Sequence, residues 1–170
     1  HFRLDNVVEP GDVFEIRKTI NDTISYGVDF LEVESIPDPQ AKPRGYVSVL
    51  ETGAVADDGE DDLAAFNSAL DEAARQGSGV FIPEGTFHLS DAWTIDESNI
   101  GVKGAGIWHT RLWFTNYNDH DAIGIRPTNV NNIEVAHFHM DSWNDYRYDE
   151  NGNNSSRHGC KIVDVTNSEF

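Results

Sequence analysis

Between Val47 and Leu89 the spacing of apolar residues changes period twice. Val47, Val49 and Leu50 read as a short strand, and an acidic loop follows it up to Asp62. Leu63, Phe66, Leu70 and Ala73/Ala74 then recur at three- and four-residue steps. That spacing gathers side chains on one helical face, so an amphipathic helix is expected near 62–76. Asp61 or Asp62 is placed to cap it, because a carboxylate accepts the orphan N–H groups of the first turn and suits the positive end of the dipole. Gly77-Ser78-Gly79 ends the helix, Val80-Phe81-Ile82 reads as a buried strand, and Pro83-Glu84-Gly85-Thr86 as a turn. One helix followed only by short strands is the arrangement that caps a β-solenoid, whose first coil has an open edge and an open apolar end.

A weak repeat follows. The stretches 93–102, 123–135 and 161–170 each read as a short apolar strand, a polar turn containing Asn, and another short strand. Asn99, Asn132 and Asn167 align. Asn tolerates a left-handed turn conformation between two strands of one coil. The repeat predicts stacked parallel strands over 80–170, with Ile100, Ile133 and Ile162 pointing into one core. The fold class expected is therefore all-β: the first coils of a parallel β-helix with one capping α-helix, over residues 47–170.

Residues 1–36 differ. Their apolar positions nearly alternate, with turns at Glu9-Pro10-Gly11-Asp12 and Asn21-Asp22, which is an antiparallel pattern without a helix. The segment is too short for a sandwich and reads as the last three strands of one. Residues 37–46 are Pro-rich and read as an extended, semi-rigid linker.

The 170 residues carry a net charge of −18, with 30 Asp and Glu against 12 Lys and Arg. Such a surface repels nucleic acid and anionic membranes, and it favours a neutral glycan over a polyanionic one. The single cysteine, Cys160, excludes an intrachain disulfide. No run approaches the roughly 20 apolar residues of a membrane span, and no signal peptide is visible. Because the chain starts at His1-Phe2 and stops at Glu169-Phe170 within a strand of the repeat, it reads as a piece of a longer polypeptide. Its carboxy-terminal coil is expected to be covered by the remainder of that polypeptide or by another copy.

Gly53-Ala54-Val55-Ala56-Asp57-Asp58-Gly59 ahead of the helix, with Pro83-Glu84-Gly85-Thr86-Phe87 after it, resembles the amino-terminal region of right-handed parallel β-helix enzymes that act on polysaccharides, the pectate-lyase-like superfamily. Gly104-Ala105-Gly106-Ile107-Trp108-His109-Thr110 narrows the likeness, together with the linker and Val28-Asp29-Phe30. The chain is most similar to the mycodextranase and bacterial α-1,3-glucanase family of glycoside hydrolases. Residues 1–36 are similar to the end of a carbohydrate-binding jelly-roll module. The resemblance implies a secreted protein that requires no cofactor. In modules of that kind an Asp of the last strand helps to hold a structural calcium, a role that would fall to Asp29. The family's catalytic Asp motifs have no match after Asp141, so the resemblance implies no catalytic residue in this chain, and the segment alone is expected to be inactive.

The chemistry-bearing stretch is His137 to Asp149. Aromatic faces stack on pyranose rings while Asp, Asn and Arg bond hydroxyls, which makes Trp143, Asp141, Asp145, Arg147 and Asp149 the candidate substrate-binding residues. The bland alternative is a polar loop between coils. His137 and His139 alternate, and on one strand they would share a face as a metal pair, although no third ligand is evident. The carboxylates of 57–62 read as a cap plus a solvated loop rather than a calcium loop, since their spacing fits no helix–loop–helix calcium pattern. Lys103-Gly104-Ala105-Gly106 is no nucleotide loop, and its glycines suit a tight corner.

Three functions remain. One is part of a secreted glycoside hydrolase acting on a neutral α-glucan of the α-1,3 type. Another is a non-catalytic solenoid, such as an adhesin, filament or tailspike-like shaft. The third is a polysaccharide lyase or epimerase, which would want a basic groove. Polysaccharide is the expected partner; nucleic acid and membrane are not.

Overall fold

The computed structural model describes residues 9–13, 35–115, 124–142 and 159–170. The chain divides into two compact units, His1–Pro37 and Asp38–Phe170. In the first unit the turn expected at Glu9–Asp12 is present: the Asp12 N–H donates to Glu9 O at 3.1 Å, with Gly11 at φ 109°. The sandwich strands expected around it lie outside the described residues.

The second unit is a right-handed parallel β-helix. β1 (Val47–Ser48), β2 (Val80–Ile82), β5 (Gly101–Gly104) and β8 (Glu134–Ala136) form one parallel sheet. A middle sheet joins β3 (Gly85–Leu89), β6 (Thr110–Phe114) and β9 (His139–Ser142), and a third pairs β4 (Trp93–Ile95) with β7 (Ile125–Pro127). The last coil continues as parallel bridges from Ile125 to Cys160, Thr128 to Val163, Asn131 to Thr166 and Glu134 to Glu169. Residues 38–46 belong to this unit, where the Gln40 N–H donates to Ala105 O at 2.7 Å.

Asn99, Asn132 and Asn167 stand at φ 59°, 54° and 49°, the left-handed conformation that Asn tolerates. Asn132 Nδ2 donates to Asn99 Oδ1 at 3.1 Å. Ile100 and Ile133, one residue later, are buried as expected. Ile162 is not, and stands about half exposed. The Asn132-to-Asn167 register puts Ser168, not Ile162, over Ile133. Ile162 instead stacks over the buried Pro127.

Helix α1 (Leu63–Gln76) packs against β1, β2 and β4 and closes the first coil. Its buried stripe is Ala65, Phe66, Ala69, Leu70 and Ala73; Leu63 and Ala74 are only partly covered. Small alanines let the helix approach the strand ends closely, and Phe66 fills the centre. Its ring meets Phe87 at 5.6 Å and Trp93 at 5.1 Å between centroids, both edge-to-face. Gly77 ends the helix at φ 63°, its N–H donating to the carbonyls of Ala73 and Ala74.

Of the two expected caps, Asp61 accepts a first-turn amide and Asp62 does not. Asp62 occupies the N-cap position, but its carboxylate makes no cap hydrogen bond. It accepts instead from Val55 N at 2.9 Å and His88 N at 3.2 Å. Asp61 Oδ1 takes one first-turn amide, that of Leu63, at 3.1 Å, and also serves Ser90. The competing demand is the outer edge of β3, along which the 57–62 loop runs with a parallel bridge between Asp61 and His88 and with the Asp57 and Asp62 amides donating to the carbonyls of Thr86 and His88. Asp57, Asp62 and Asp61 accept from the amides of Thr86, His88 and Ser90 respectively. Three alternate donors on one strand edge thus meet three carboxylates, and the Asp-rich loop acts as an edge seal.

Candidate functional site

The middle sheet carries the densest chemistry among the described residues. Side chains alternate across a strand, and here Phe87, Leu89, Leu112 and Phe114 point into the core. Thr86, His88, Arg111, Trp113, His139 and Asp141 therefore face outward. The register aligns Thr86, Arg111 and His139 in one row and His88, Trp113 and Asp141 in the next. Neighbouring strands lie about 4.8 Å apart, so six side chains of five chemical kinds share one small patch.

Arg111 ties the two rows together. Its Nη2 donates to Asp141 Oδ2 at 2.5 Å, and its guanidinium carbon lies 4.2 Å from the Trp113 ring centroid. His139 Nε2 stands 3.9 Å from the same carboxylate oxygen. Asp141 Oδ1 accepts from Ser142 N at 2.8 Å. The side chains of Arg111, Asp141 and His139 are about 41%, 39% and 42% exposed, so a solute can reach all three. Burial pushes the Asp141 carboxyl up, but Arg111, the Ser142 amide and His139 together outweigh it and hold it below its ordinary value. The carboxylate thus stays ionised through the neutral and mildly acidic range. A planar cation on an indole, beside a carboxylate and an imidazole, offers both a stacking surface and hydroxyl-directed donors and acceptors.

Of the residues expected to bind substrate, Asp141 is on this face. Trp143, Asp145, Arg147 and Asp149 lie outside the described residues, as does Asp29. Arg111 and Trp113 were not singled out in the sequence. Their signal was the alternation of Thr110-Arg111-Leu112-Trp113-Phe114, in which polar or amphipathic residues separate buried ones. The expected His137–His139 pair does not form on one strand. His137 follows β8 at φ 67° and turns the chain at the corner, so His139 opens a different sheet. Among the described residues no group of three or more His, Cys, Asp or Glu side chains is placed to hold a metal ion. The glycine corner is as expected. A Cβ on Gly104 would stand 2.2 Å from His137 O, and Gly106, at φ 137°, donates its N–H to that carbonyl at 2.8 Å.

Known proteins resemble this chain in sequence and fold. Mannuronan C5-epimerase AlgE2 of Azotobacter vinelandii is 31% identical over 116 residues, which are 64% of this chain and 11% of that protein. The chain thus spans only a small part of the curated relative. The Agl-KA catalytic domain superposes with a TM-score of 0.62 at 36% identity, covering 78% of this chain and 25% of that one. ORF18 of Geobacillus virus E2 superposes at 0.53 and 22% identity, covering 72% of this chain and 24% of that one, a likeness of fold alone. A family model described as rhamnogalacturonase A/epimerase, pectate lyase-like, matches residues 46–142, from the residue before β1 to the end of β9. With more than half of its length matched, and with the parallel coils of that fold, the chain belongs to the rhamnogalacturonase A/epimerase, pectate lyase-like family.

Proposed function

We propose that this chain forms the first coils of a secreted glycoside hydrolase acting on a neutral α-glucan of the α-1,3 type. The outer face of the middle sheet is its saccharide subsite. The observation that carries the reading is the Arg111–Trp113–Asp141 array: an indole with a guanidinium on its ring and a carboxylate within reach. Aromatic faces hold the apolar faces of sugar rings, and charged donors and acceptors orient hydroxyls. The similarity to the Agl-KA catalytic domain supports a catalytic parent protein. The net charge of −18 supports a neutral substrate.

Binding, not bond cleavage, is assigned to this face. Among the described residues it presents one carboxylate, Asp141, already bonded to Arg111. Inverting hydrolysis needs an acid and a base about 6.5–9.5 Å apart. A second reading, an epimerase or lyase on an anionic glycan, is favoured by the identity to a mannuronan C5-epimerase. The Asp141 carboxylate, already bonded to the one guanidinium of the face, speaks against it.

The test is depletion of the chain from solution by insoluble α-1,3-glucan, compared for wild type and Trp113→Ala. We expect the variant to bind at least about tenfold more weakly, as the loss of a stacking ring implies. Equal retention of both, or retention of neither, would refute the assignment. Retention by an alginate matrix instead would favour the second reading.

A further inference from the structure

We infer that Asp141 is a specificity-determining residue that keeps this face selective for neutral glycans by occupying Arg111. The inference rests on the reading of the face as a saccharide subsite. Arg111 is the one cationic side chain of fixed charge on the outward positions of β3, β6 and β9. A guanidinium in that position is the natural receptor for the carboxylate of a uronate unit, because its planar fork matches a carboxylate. In this chain the receptor is already filled. Asp141 sits in the neighbouring strand at fixed register, so it competes from within the molecule and needs no association step. A uronate approaching Arg111 would also meet the Asp141 charge at close range, where like charges repel.

The geometry separates the two kinds of ligand. A guanidinium has five N–H donors, and the hydrogen bond to Asp141 uses one of them. Neutral hydroxyls can take others without disturbing the pair, whereas a carboxylate must displace Asp141 or share its cation. The second oxygen of Asp141 accepts from Ser142 N, which anchors the carboxylate to its own strand. Asp141→Asn can keep that anchor through its carbonyl oxygen. Turned that way it presents an N–H₂ group to Arg111, two donors face each other, and the guanidinium is released with its charge uncompensated.

The experiment measures binding of oligogalacturonate and of a neutral α-1,3-glucan oligosaccharide to the whole chain by titration calorimetry. Four forms are compared: wild type, Asp141→Asn, Glu134→Gln, and the double variant Arg111→Gln/Asp141→Asn. Glu134 pairs with Lys103 at 2.8 Å on a different sheet, so Glu134→Gln makes the same charge change and also frees a cation, away from the face. We expect Asp141→Asn to gain roughly tenfold or more in oligogalacturonate affinity, with the gain shrinking at high salt. Glu134→Gln should gain none of it, and the double variant should lose it. No gain in Asp141→Asn, an equal gain in Glu134→Gln, or tight oligogalacturonate binding by wild type would each overturn the inference. Its failure is distinct from failure of the proposed function, which is read from the neutral-glucan arm and from Trp113→Ala.

Discussion

Ser90 donates both its backbone N–H and its hydroxyl to the carboxylate of Asp61, at 2.9 and 2.7 Å. The same carboxylate accepts the Leu63 amide at the start of α1, so one side chain joins the helix cap to the far end of the first strand of the middle sheet. Asp61→Ala is expected to cost about 1 kcal/mol per lost bond at most, since the groups it leaves can reach water. Ser90→Ala should cost less, and the two losses should be non-additive. Urea unfolding of both single variants and the double variant checks this through the coupling energy.

The pH dependence of that joint has a definite sign. Burial pushes the Asp61 carboxyl up, but the Ser90 hydroxyl and the amides of Leu63 and Ser90 outweigh it and leave it below its ordinary value. A depressed folded value means that Asp61 stabilises above the ordinary aspartate range, and that this contribution is lost as pH falls through the folded value. Asp62 runs the other way, because burial raises its carboxyl above the ordinary range. The stability difference between wild type and Asp61→Asn, measured across acid pH, isolates Asp61. It should shrink on acidification, and a difference that grows would contradict the assignment.

Tyr46 covers a column of glycines on the first sheet. A Cβ on Gly101 would stand 2.3 Å from the Tyr46 hydroxyl oxygen, and one on Gly79 would stand 2.3 Å from Tyr46 Cε2 and 2.5 Å from the Gly101 carbonyl oxygen. Gly101→Ala is therefore expected to destabilise by about 1–3 kcal/mol, as overpacking does. Adding Tyr46→Ala should relieve most of that. Gly79→Ala should be relieved less, because backbone also stands in its way. Thermal unfolding of the two pairs separates ring from backbone clash.

Thr110 is buried at a corner, where its hydroxyl oxygen accepts the Ala105 amide at 2.8 Å and lies 3.0 and 2.9 Å from the carbonyls of Ile82 and Pro83. Thr110→Val keeps the shape and removes the hydroxyl. We expect a loss of about 1–3 kcal/mol in denaturant unfolding, with Thr110→Ser close to wild type.

Phe66→Ala tests the capping helix. The ring is fully buried against Phe87 and Trp93, and its removal should cost about 3–5 kcal/mol. The loss should be read from the denaturant midpoint.

Periodic features of this chain were legible before any coordinates. The helix spacing of Phe66, Leu70 and Ala73, the glycine stop at Gly77 and the aligned Asn99, Asn132 and Asn167 depend on local geometry, which a linear chain expresses directly. Contacts between coils were not legible, because stacking register sets them. The carboxylates of 57–62 read as a cap plus a solvated loop, and three of them, Asp57, Asp61 and Asp62, seal the edge of β3 only because the coil brings Thr86, His88 and Ser90 beside them. Ile162 has the side chain of a core residue, but the stacking register puts it over Pro127 and Ser168 over Ile133, and it stands about half exposed. Asp141 was a candidate from its neighbours in sequence. Its partners Arg111 and Trp113 lie about 30 residues earlier, one coil away, and only parallel pairing of β6 with β9 makes them one site. Side-chain alternation and helical period are properties of the backbone alone, whereas a site on a solenoid face is assembled across strands by hydrogen-bond register.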